Sequence, residues 1–416
     1  MIDEYFTRPT LGRSNVIVTL HPIDHLHRQW TLEFERKVTS QSKTLKEAVA
    51  KYRGRYKRPP PSAFDRWFEL AQENNYLLVD EFDTITTSME PYWRTAPDVI
   101  RLRLESILKI RSIMNLRFKD DKASYSPKYY YGSIIGEFLS KYAERKILPD
   151  FNCIINLLDE PRVNGLSNES LAQTSSSANI SEANITFVDL GKRPVWDKIQ
   201  SSCPNPSFII DEKEENEPTL HTLLFIDDIP SSRDVYVTPK IRPLHGFFQS
   251  ASNLYMTRTL VPILSQCAPP PFNDVLYPSS YYAANVDNGE GDIDKDWDQK
   301  LDRLYWTGKS TSGYSRLDNW MKLHRQRLSL MTNPELSSPV SLLRRSATGI
   351  WETYQSSWEA ISDMFRVTVT GICQCEKAAC HEMAAAFPAT REPVSESVGG
   401  KYASFLLIIY LLTSDP

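Results

Sequence analysis

The chain has 416 residues, of which 41% are hydrophobic and 24% are charged. This length accommodates two ordinary domains with cores of their own, and the composition is that of a globular protein rather than a disordered one. The net charge of -4 gives no reason to expect a nucleic-acid partner or a strongly basic membrane-binding surface.

No apolar stretch approaches the roughly 20 residues that a membrane-spanning helix needs. The nearest, residues 405–412, is short enough to be a buried strand. The N-terminal sequence MIDEYFTRPTLGRSN lacks the basic start and the apolar middle of a signal peptide. We therefore expect membrane association only if an N-terminal anchor precedes this chain.

Helical periodicity dominates the first part of the chain. Apolar residues recur at fourfold spacing between residues 21 and 56, as at Leu26 and Trp30, and this predicts helical structure. Residues 96–118 are predicted to form one basic amphipathic helix, with Leu102 and Met114 on its apolar side.

Residues 151–158, FNCIINLL, are the clearest buried strand of the chain. The strand runs into Asp159, Glu160, Pro161 and Arg162. In an open α/β sheet, ligands gather beyond the carboxyl ends of the strands, so this acidic end is well placed for chemistry. A plain strand-to-turn exit, with Asp and Pro as turn formers, explains the same residues. A further strand, at residues 260–265, is predicted to open a second domain.

A short aromatic strand at residues 304–306 is followed by a loop rich in hydroxyl groups, and a helical pattern opens near Asp318. Such a strand, loop and basic helix can bind a diphosphate, because hydroxyls and backbone N–H groups donate to phosphate oxygens and cations neutralise their charge. An ordinary strand–loop–helix corner is the alternative. A P-loop is not favoured, because no glycine stands five residues before Gly308.

Metal sites are not favoured by the sequence. The alternating acids from Asp292 to Asp298 lack the glycine and the glutamate of a calcium loop, since Trp297 and Arg303 occupy those positions. Cysteines 373, 375 and 380 together with His381 could in principle bind zinc, but their spacing matches no familiar finger.

Three glycosylation sequons, at Asn168, Asn179 and Asn184, favour a secretory lumen. A lumenal location would favour a disulfide, with Cys375 and Cys380 as the expected pair. Plain thiols are the alternative. We therefore expect no metal in this part of the chain.

Four stretches carry a resemblance to a known family. They are HPIDHL at 21–26, PPPSAFDRWFELA at 59–71, YWTGKST at 305–311 and QCEKAAC at 374–380. Their wording resembles the fungal branch of the CAP10-type glycosyltransferases (glycosyltransferase family 90), which includes protein O-glucosyltransferases and fungal capsule xylosyltransferases. The resemblance ends after Tyr402, before the glycine-rich turn and the arginine segment with which the family continues.

The resemblance implies an α/β fold with two Rossmann-like domains in a GT-B-like arrangement. Residues 1–120 would be a helical N-terminal extension, residues 121–255 the acceptor-side domain, and residues 256–416 the nucleotide-sugar-side domain. The last of these would be incomplete, and the chain a C-terminally truncated member of the family.

The function implied is transfer of xylose or glucose from a UDP-sugar donor to a hydroxyl of a glycan or protein, in the lumen of the endoplasmic reticulum or Golgi. The UDP-sugar would be a co-substrate, with no further cofactor. Asp159 matches the family's general base, and Asn156, Pro161 and Arg162 would lie on the acceptor side. The donor-binding residues implied are Lys309, Ser310, Thr311, Arg325, Arg327, Asp274 and Pro278.

Two departures from the family pattern favour a second hypothesis. Thr307 stands where many relatives carry an arginine, and the C-terminal arginine segment is missing. The alternative function is therefore a catalytically inactive relative or fragment that binds a glycan or a partner protein.

Overall fold

The computed structural model describes residues 21–164, 185–200, 245–280, 296–333 and 340–387. The described helices are α1 Pro22–Thr39, α2 Leu45–Tyr56, α3 Phe64–Glu73, α4 Asp83–Trp93, α5 Pro97–Ile107, α6 Tyr130–Lys141, α7 Trp196–Gln200, α8 Gly246–Ser250, α9 His324–Met331 and α10 Lys377–Ala386. The described strands are β1 Ile113–Lys119, β2 Lys122–Ser126, β3 Phe151–Asn156, β4 Val188–Asp189, β5 Tyr255–Met256, β6 Ile263–Ser265, β7 Val275–Leu276, β8 Leu304–Lys309, β9 Val340–Arg345, β10 Trp351–Ser356 and β11 Phe365–Gly371. The sequons at Asn168, Asn179 and Asn184, the acids from Asp292 to Asp294 and the apolar run 405–412 lie outside the described residues.

Five helices precede the main sheet in the part of the chain described from residue 21 onwards. The helical prediction for residues 21–56 is confirmed, although the chain forms two helices there, α1 and α2. A capping box begins α2: Thr44 Oγ1 accepts from the Glu47 backbone N–H, and the Glu47 carboxylate accepts from the Thr44 backbone N–H. Helix α3 packs Phe64 and Phe68 into a cluster with Ala48. None of the helices in the described ranges is long and apolar enough to cross a membrane.

The second half of the helix predicted over residues 96–118 is a strand. Helix α5 ends at Ile107 and, after Ser112 at a φ of 57°, the chain enters β1. Met114 and Phe118 are four residues apart, so they fit a helical face as well as the inner face of a strand. The strand is formed because β1 pairs antiparallel with β2 on one side and with β3 on the other.

The main sheet has the strand order β2-β1-β3-β6-β7. Strands β3, β6 and β7 run parallel, so their carboxyl ends meet at one edge of the sheet. Strand β6 lies within the strand predicted at residues 260–265, and it pairs directly with β3 in the same sheet. The predicted boundary at 120/121 lies in the turn of the β1–β2 hairpin, and the one at 255/256 lies within β5.

Helices cover both faces of this sheet. On one face, Tyr92 of α4 and Ile107 of α5 pack against Ile154 of β3. On the other face, Leu139 of α6 packs against Ile155 of β3. Burial of each such side chain stabilises the fold by about 1.5–3 kcal/mol, so the position of β3 is firmly set.

Strands β8 and β11 form a separate parallel pair. Helix α10 covers one side of the pair, with Met383 packed in a cluster with Trp306 and Val369. The aromatic strand predicted at residues 304–306 is confirmed as the start of β8. The helical pattern that opens near Asp318 corresponds to a 3-10 turn, Trp320–Lys322, followed by α9.

Candidate functional site

The carboxyl end of β3 presents one exposed acid and one inward-facing acid. Asp159 is exposed, and its backbone carbonyl accepts from Cys267 Sγ at 2.8 Å. Glu160 Oε1 accepts from the backbone N–H groups of Ser252 and Asn253 at 2.8 and 3.0 Å. Burial raises the pKa of Glu160, and the charge of Asp159 adds to that rise. Of the two acids, Asp159 is therefore the one whose side chain is open to solvent and to an incoming hydroxyl.

Asn156 shapes the turn that follows β3. Its side chain is buried, and its Nδ2 donates to the Glu160 carbonyl at 2.8 Å and to Ser265 Oγ at 3.1 Å. Its Oδ1 accepts from the backbone N–H of Leu158 at 3.0 Å and from Arg162 Nε at 2.8 Å. Asn156 thus lies beside the predicted base, but its polar atoms are bonded within the protein.

Arg162 is fully buried behind Asp159. Its Nη2 donates to the backbone carbonyls of Arg111 and Ser112 at 3.0 and 2.7 Å. Burial disfavours its charge and lowers the pKa of Arg162 to about 10. Pro161, its neighbour, is also buried. Arg162 and Pro161, both predicted to lie on the acceptor side, are therefore buried and support the carboxyl end of β3.

Asp274, the residue before β7, holds the chain at Arg162. It is fully buried, and its oxygens accept from the backbone N–H groups of Arg162 and Val163, both at 2.8 Å, and from Ser265 Oγ at 2.5 Å. Burial raises its pKa to about 6, although these hydrogen bonds and the Arg162 charge lower it. Pro278, by contrast, is exposed. Asp274 thus has protein partners for both oxygens, and its predicted contact with the donor stays a prediction.

The loop after β8, residues 310–315, is called here the hydroxyl loop. Ser310 at its start is buried, and its Oγ donates to the Cys373 carbonyl at 3.1 Å and accepts from the Cys373 backbone N–H at 2.9 Å. Thr311 Oγ1 accepts from Arg325 Nη1, which also donates to the Lys309 carbonyl at 3.0 Å. Burial lowers the pKa of Arg325, and the side chain of Lys309 is exposed. Arg325 and Lys309 therefore place cationic groups beside the hydroxyl loop.

Helix α9 holds the hydroxyl loop through Gln326, which the sequence pattern did not single out. Gln326 is fully buried, and its Nε2 donates to the Ser310 carbonyl at 2.6 Å, while its Oε1 accepts from Ser312 Oγ at 3.2 Å. Arg327, the next residue, donates from Nη1 to the Lys322 carbonyl at 3.3 Å. Gln326 is polar and stands between Arg325 and Arg327, so the sequence alone does not indicate that its side chain is buried.

One segment, residues 246–254, contacts both the carboxyl end of β3 and the hydroxyl loop, and is called here the bridge segment. Glu160 binds its backbone at Ser252, as described above. On the other side, the Tyr314 backbone N–H donates to the Ser250 carbonyl at 2.7 Å. The predicted acceptor side and the predicted donor side are therefore joined through a common element.

Two glycines bring the bridge segment and the hydroxyl loop into direct backbone contact. A Cβ on Gly246 would lie 1.5 Å from the Ser312 carbonyl oxygen, and one on Gly313 would lie 2.7 Å from the Gly246 carbonyl oxygen. Gly313 also has a φ of +109°, which side-chain-bearing residues rarely adopt. Only glycine at both positions permits this approach without displacement of the backbone.

The predicted cysteine pair is confirmed. Cys375 and Cys380 form a disulfide at the start of α10, whereas Cys373 is a free thiol. With two of their sulfur atoms bonded to each other, these cysteines and His381 do not form a four-ligand zinc site. In the part of the chain that the structure describes, no group of three or more His, Cys, Asp or Glu could hold a metal ion.

These contacts define a mixed α/β protein in which Glu160, next to the exposed Asp159, and a hydroxyl-rich loop with nearby cations bond to the same segment. No protein-family model matches the chain, and no curated protein or solved structure matches it either.

Proposed function

We propose that this chain is a glycosyltransferase that moves xylose or glucose from a UDP-sugar to a hydroxyl of a glycan or protein acceptor. The observation that carries the proposal is the joint packing of the Asp159 turn and the hydroxyl loop on the bridge segment. The resemblance to the CAP10-type family supports the same function. By that resemblance, the complete protein would have two Rossmann-like domains and would work in the secretory pathway.

Asp159 is the proposed general base. Its exposed carboxylate follows β3, which is the strand paired with β1 on one side and β6 on the other, so the base stands on a rigid support. In the reaction it takes the proton of the acceptor hydroxyl as that oxygen attacks the anomeric carbon. The proton then resides on the Asp159 carboxylate, and the bond from the sugar to the diphosphate breaks.

The leaving diphosphate needs positive charge and hydrogen-bond donors. Lys309 is exposed at the end of β8, and Arg325 makes all of its hydrogen bonds within the described residues through Nη1. Its Nε and Nη2 groups, together with Lys309, are the cations proposed to neutralise the diphosphate. Ser310 is a weaker candidate, because its hydroxyl is bonded to Cys373 in both directions.

The internal bonding of Ser310, Arg162 and Asp274 favours a second candidate function. Ser310 and Asp274 are bonded within the protein, as are Nε and Nη2 of Arg162, and Thr307 stands where many relatives carry an arginine. A catalytically inactive relative that binds a glycan or a partner protein would keep these structural bonds and lose the donor. Uridine diphosphate binding separates the two candidates.

The test combines calorimetry with a transfer assay. We expect saturable binding of uridine diphosphate, weakened about tenfold by Lys309→Ala and unchanged by Lys377→Ala, an equally exposed lysine on α10. Asp159→Asn should lower sugar transfer by about 10²–10⁴-fold and leave uridine diphosphate affinity unchanged. Its matched control is Asp150→Asn, an exposed aspartate at the opposite end of β3. Absence of saturable binding at millimolar uridine diphosphate would favour the inactive relative.

A further inference from the structure

Glu160 is the acid that the proposed transfer mechanism does not use. One of its oxygens, Oε1, accepts two successive backbone N–H groups, those of Ser252 and Asn253. Its other oxygen, Oε2, is buried without a hydrogen-bond partner. A carboxylate that accepts two N–H groups binds them more strongly than a neutral acceptor does, so Glu160 fixes the backbone of the bridge segment at these residues.

The contact continues from the bridge segment towards the hydroxyl loop. Ser252 Oγ donates to Gln374 Oε1 at 3.2 Å, and the Gln374 carbonyl accepts from the Ser315 backbone N–H at 2.8 Å. Because Ser250 also accepts from Tyr314, the end of the loop is bonded to the bridge segment directly and through Gln374.

The bridge segment and the hydroxyl loop can move little relative to each other. The Gly246–Gly313 contact has no space for even one added carbon atom, so a shift of the bridge segment must displace the loop. The side chain of Gln326 fixes the other half of the loop to α9. The placement of the loop relative to β3 thus depends on the bonds at the bridge segment.

We propose that Glu160 is a positioning residue, whose carboxylate fixes the bridge segment and thereby sets the place of the hydroxyl loop relative to Asp159. This inference rests on the proposed sugar transfer for its functional meaning, because the loop is the proposed donor side. Its structural content, coupling between Glu160 and the loop, stands independently of any activity.

Hydrogen exchange followed by mass spectrometry tests the coupling in the full chain. We expect Glu160→Ala to speed exchange about tenfold in peptides that cover 250–254 and also in peptides that cover 310–316. Glu160→Gln should restore most of the protection, because its amide oxygen can accept the same two N–H groups. Faster exchange in 250–254 with unchanged exchange in 310–316 would overturn the proposal.

The matched control is Glu47. One of its oxygens, Oε2, likewise accepts two successive backbone N–H groups, those of Lys43 and Thr44, at the start of α2. Glu47→Ala should speed exchange near residue 44 and leave 310–316 unchanged; an equal effect of both alanine variants on the loop would show general destabilisation and overturn the proposal. If Glu160→Ala does not fold, Ser252→Ala is the second variant, because it removes only the hydrogen bond from Ser252 Oγ to Gln374. Ser252→Ala should speed exchange in 310–316, and unchanged exchange there would also overturn the proposal.

Kinetics separate this inference from the proposed function. In an active chain, Glu160→Ala should raise the KM for the UDP-sugar about tenfold, and Glu160→Gln should restore it. If the wild-type chain binds no uridine diphosphate but the exchange coupling is present, the transferase proposal fails and the positioning role of Glu160 stands. If the chain transfers sugar and the exchange coupling is absent, the positioning role of Glu160 fails and the transferase proposal stands.

Discussion

Replacement of Asp274 by alanine is the sharpest stability test of the arrangement behind Asp159. The change leaves the buried N–H groups of Arg162 and Val163 and the hydroxyl of Ser265 without their acceptor. Each buried group left unsatisfied costs about 1–3 kcal/mol. Because three donors lose their acceptor at once, we expect Asp274→Ala to lower the free energy of unfolding by about 3 kcal/mol or more.

Urea denaturation followed by tryptophan fluorescence measures this loss. Asp274→Asn keeps one acceptor oxygen, so its expected loss is smaller, about 1–3 kcal/mol. Asp302→Asn is the control, because Asp302 is exposed, and it should change the free energy of unfolding by less than about 0.5 kcal/mol. A loss below about 1 kcal/mol for Asp274→Ala would refute the reasoning, since it would mean that these bonds do not hold the turn.

The same residue predicts a pH dependence. Burial raises the pKa of Asp274 from 3.8 to about 6, so the folded protein binds a proton here more tightly than the unfolded chain does. The stability that this proton contributes is fully present below the unfolded pKa and is lost as the pH rises to about 6. The free energy of unfolding of the wild type, relative to that of Asp274→Asn, should therefore increase as the pH falls from about 6 to about 4. The shift should be of the order of 3 kcal/mol at most, since one pKa unit corresponds to about 1.4 kcal/mol.

Two further predictions concern the hydroxyl loop. Gly313→Ala should lower the free energy of unfolding by about 2 kcal/mol or more in urea titrations, because Gly313 has a positive φ and its backbone contacts Gly246. The control is Gly54→Ala, within α2, where an added Cβ meets no other atom; it should stabilise the protein by about 0.5–1 kcal/mol. A neutral Gly313→Ala would show that the loop backbone relaxes freely. Gln326→Ala should cost about 1–3 kcal/mol in the same titrations, because it leaves the buried Ser310 carbonyl unsatisfied, whereas exposed Gln72→Ala should cost less than about 0.5 kcal/mol. Equal losses for the two glutamine variants would contradict the assignment of Gln326 as the support of the loop.

Local pattern was sufficient for the elements whose residues carry an unambiguous signal. The apolar run of β3 before Asp159 and the aromatic start of β8 both appear where the sequence predicts strands. The disulfide between Cys375 and Cys380 was expected from the lumenal location that the three sequons favour. The strand signals depend on neighbouring residues alone.

Features that depend on distant partners were not predictable. Met114 and Phe118 fit a helix as well as a strand, and pairing with β3, about 40 residues later, decides between the two. The burial of Asp274 depends on donors at Arg162 and Val163, 112 and 111 residues away in sequence. Likewise, nothing local indicates that Gln326 faces inward. Contacts over such separations can be read only from the folded chain.

The position of β1 near the middle of the main sheet limits how this chain can be shortened. A version that starts at residue 121, after the predicted helical extension, would lack the strand that lies between β2 and β3. It would expose the edge of β3 and part of the apolar faces against which α5 and α6 pack, and such edges promote aggregation. Domain dissection, fusion proteins and crystallisation trials should therefore keep Ile113–Lys119 joined to everything that follows it.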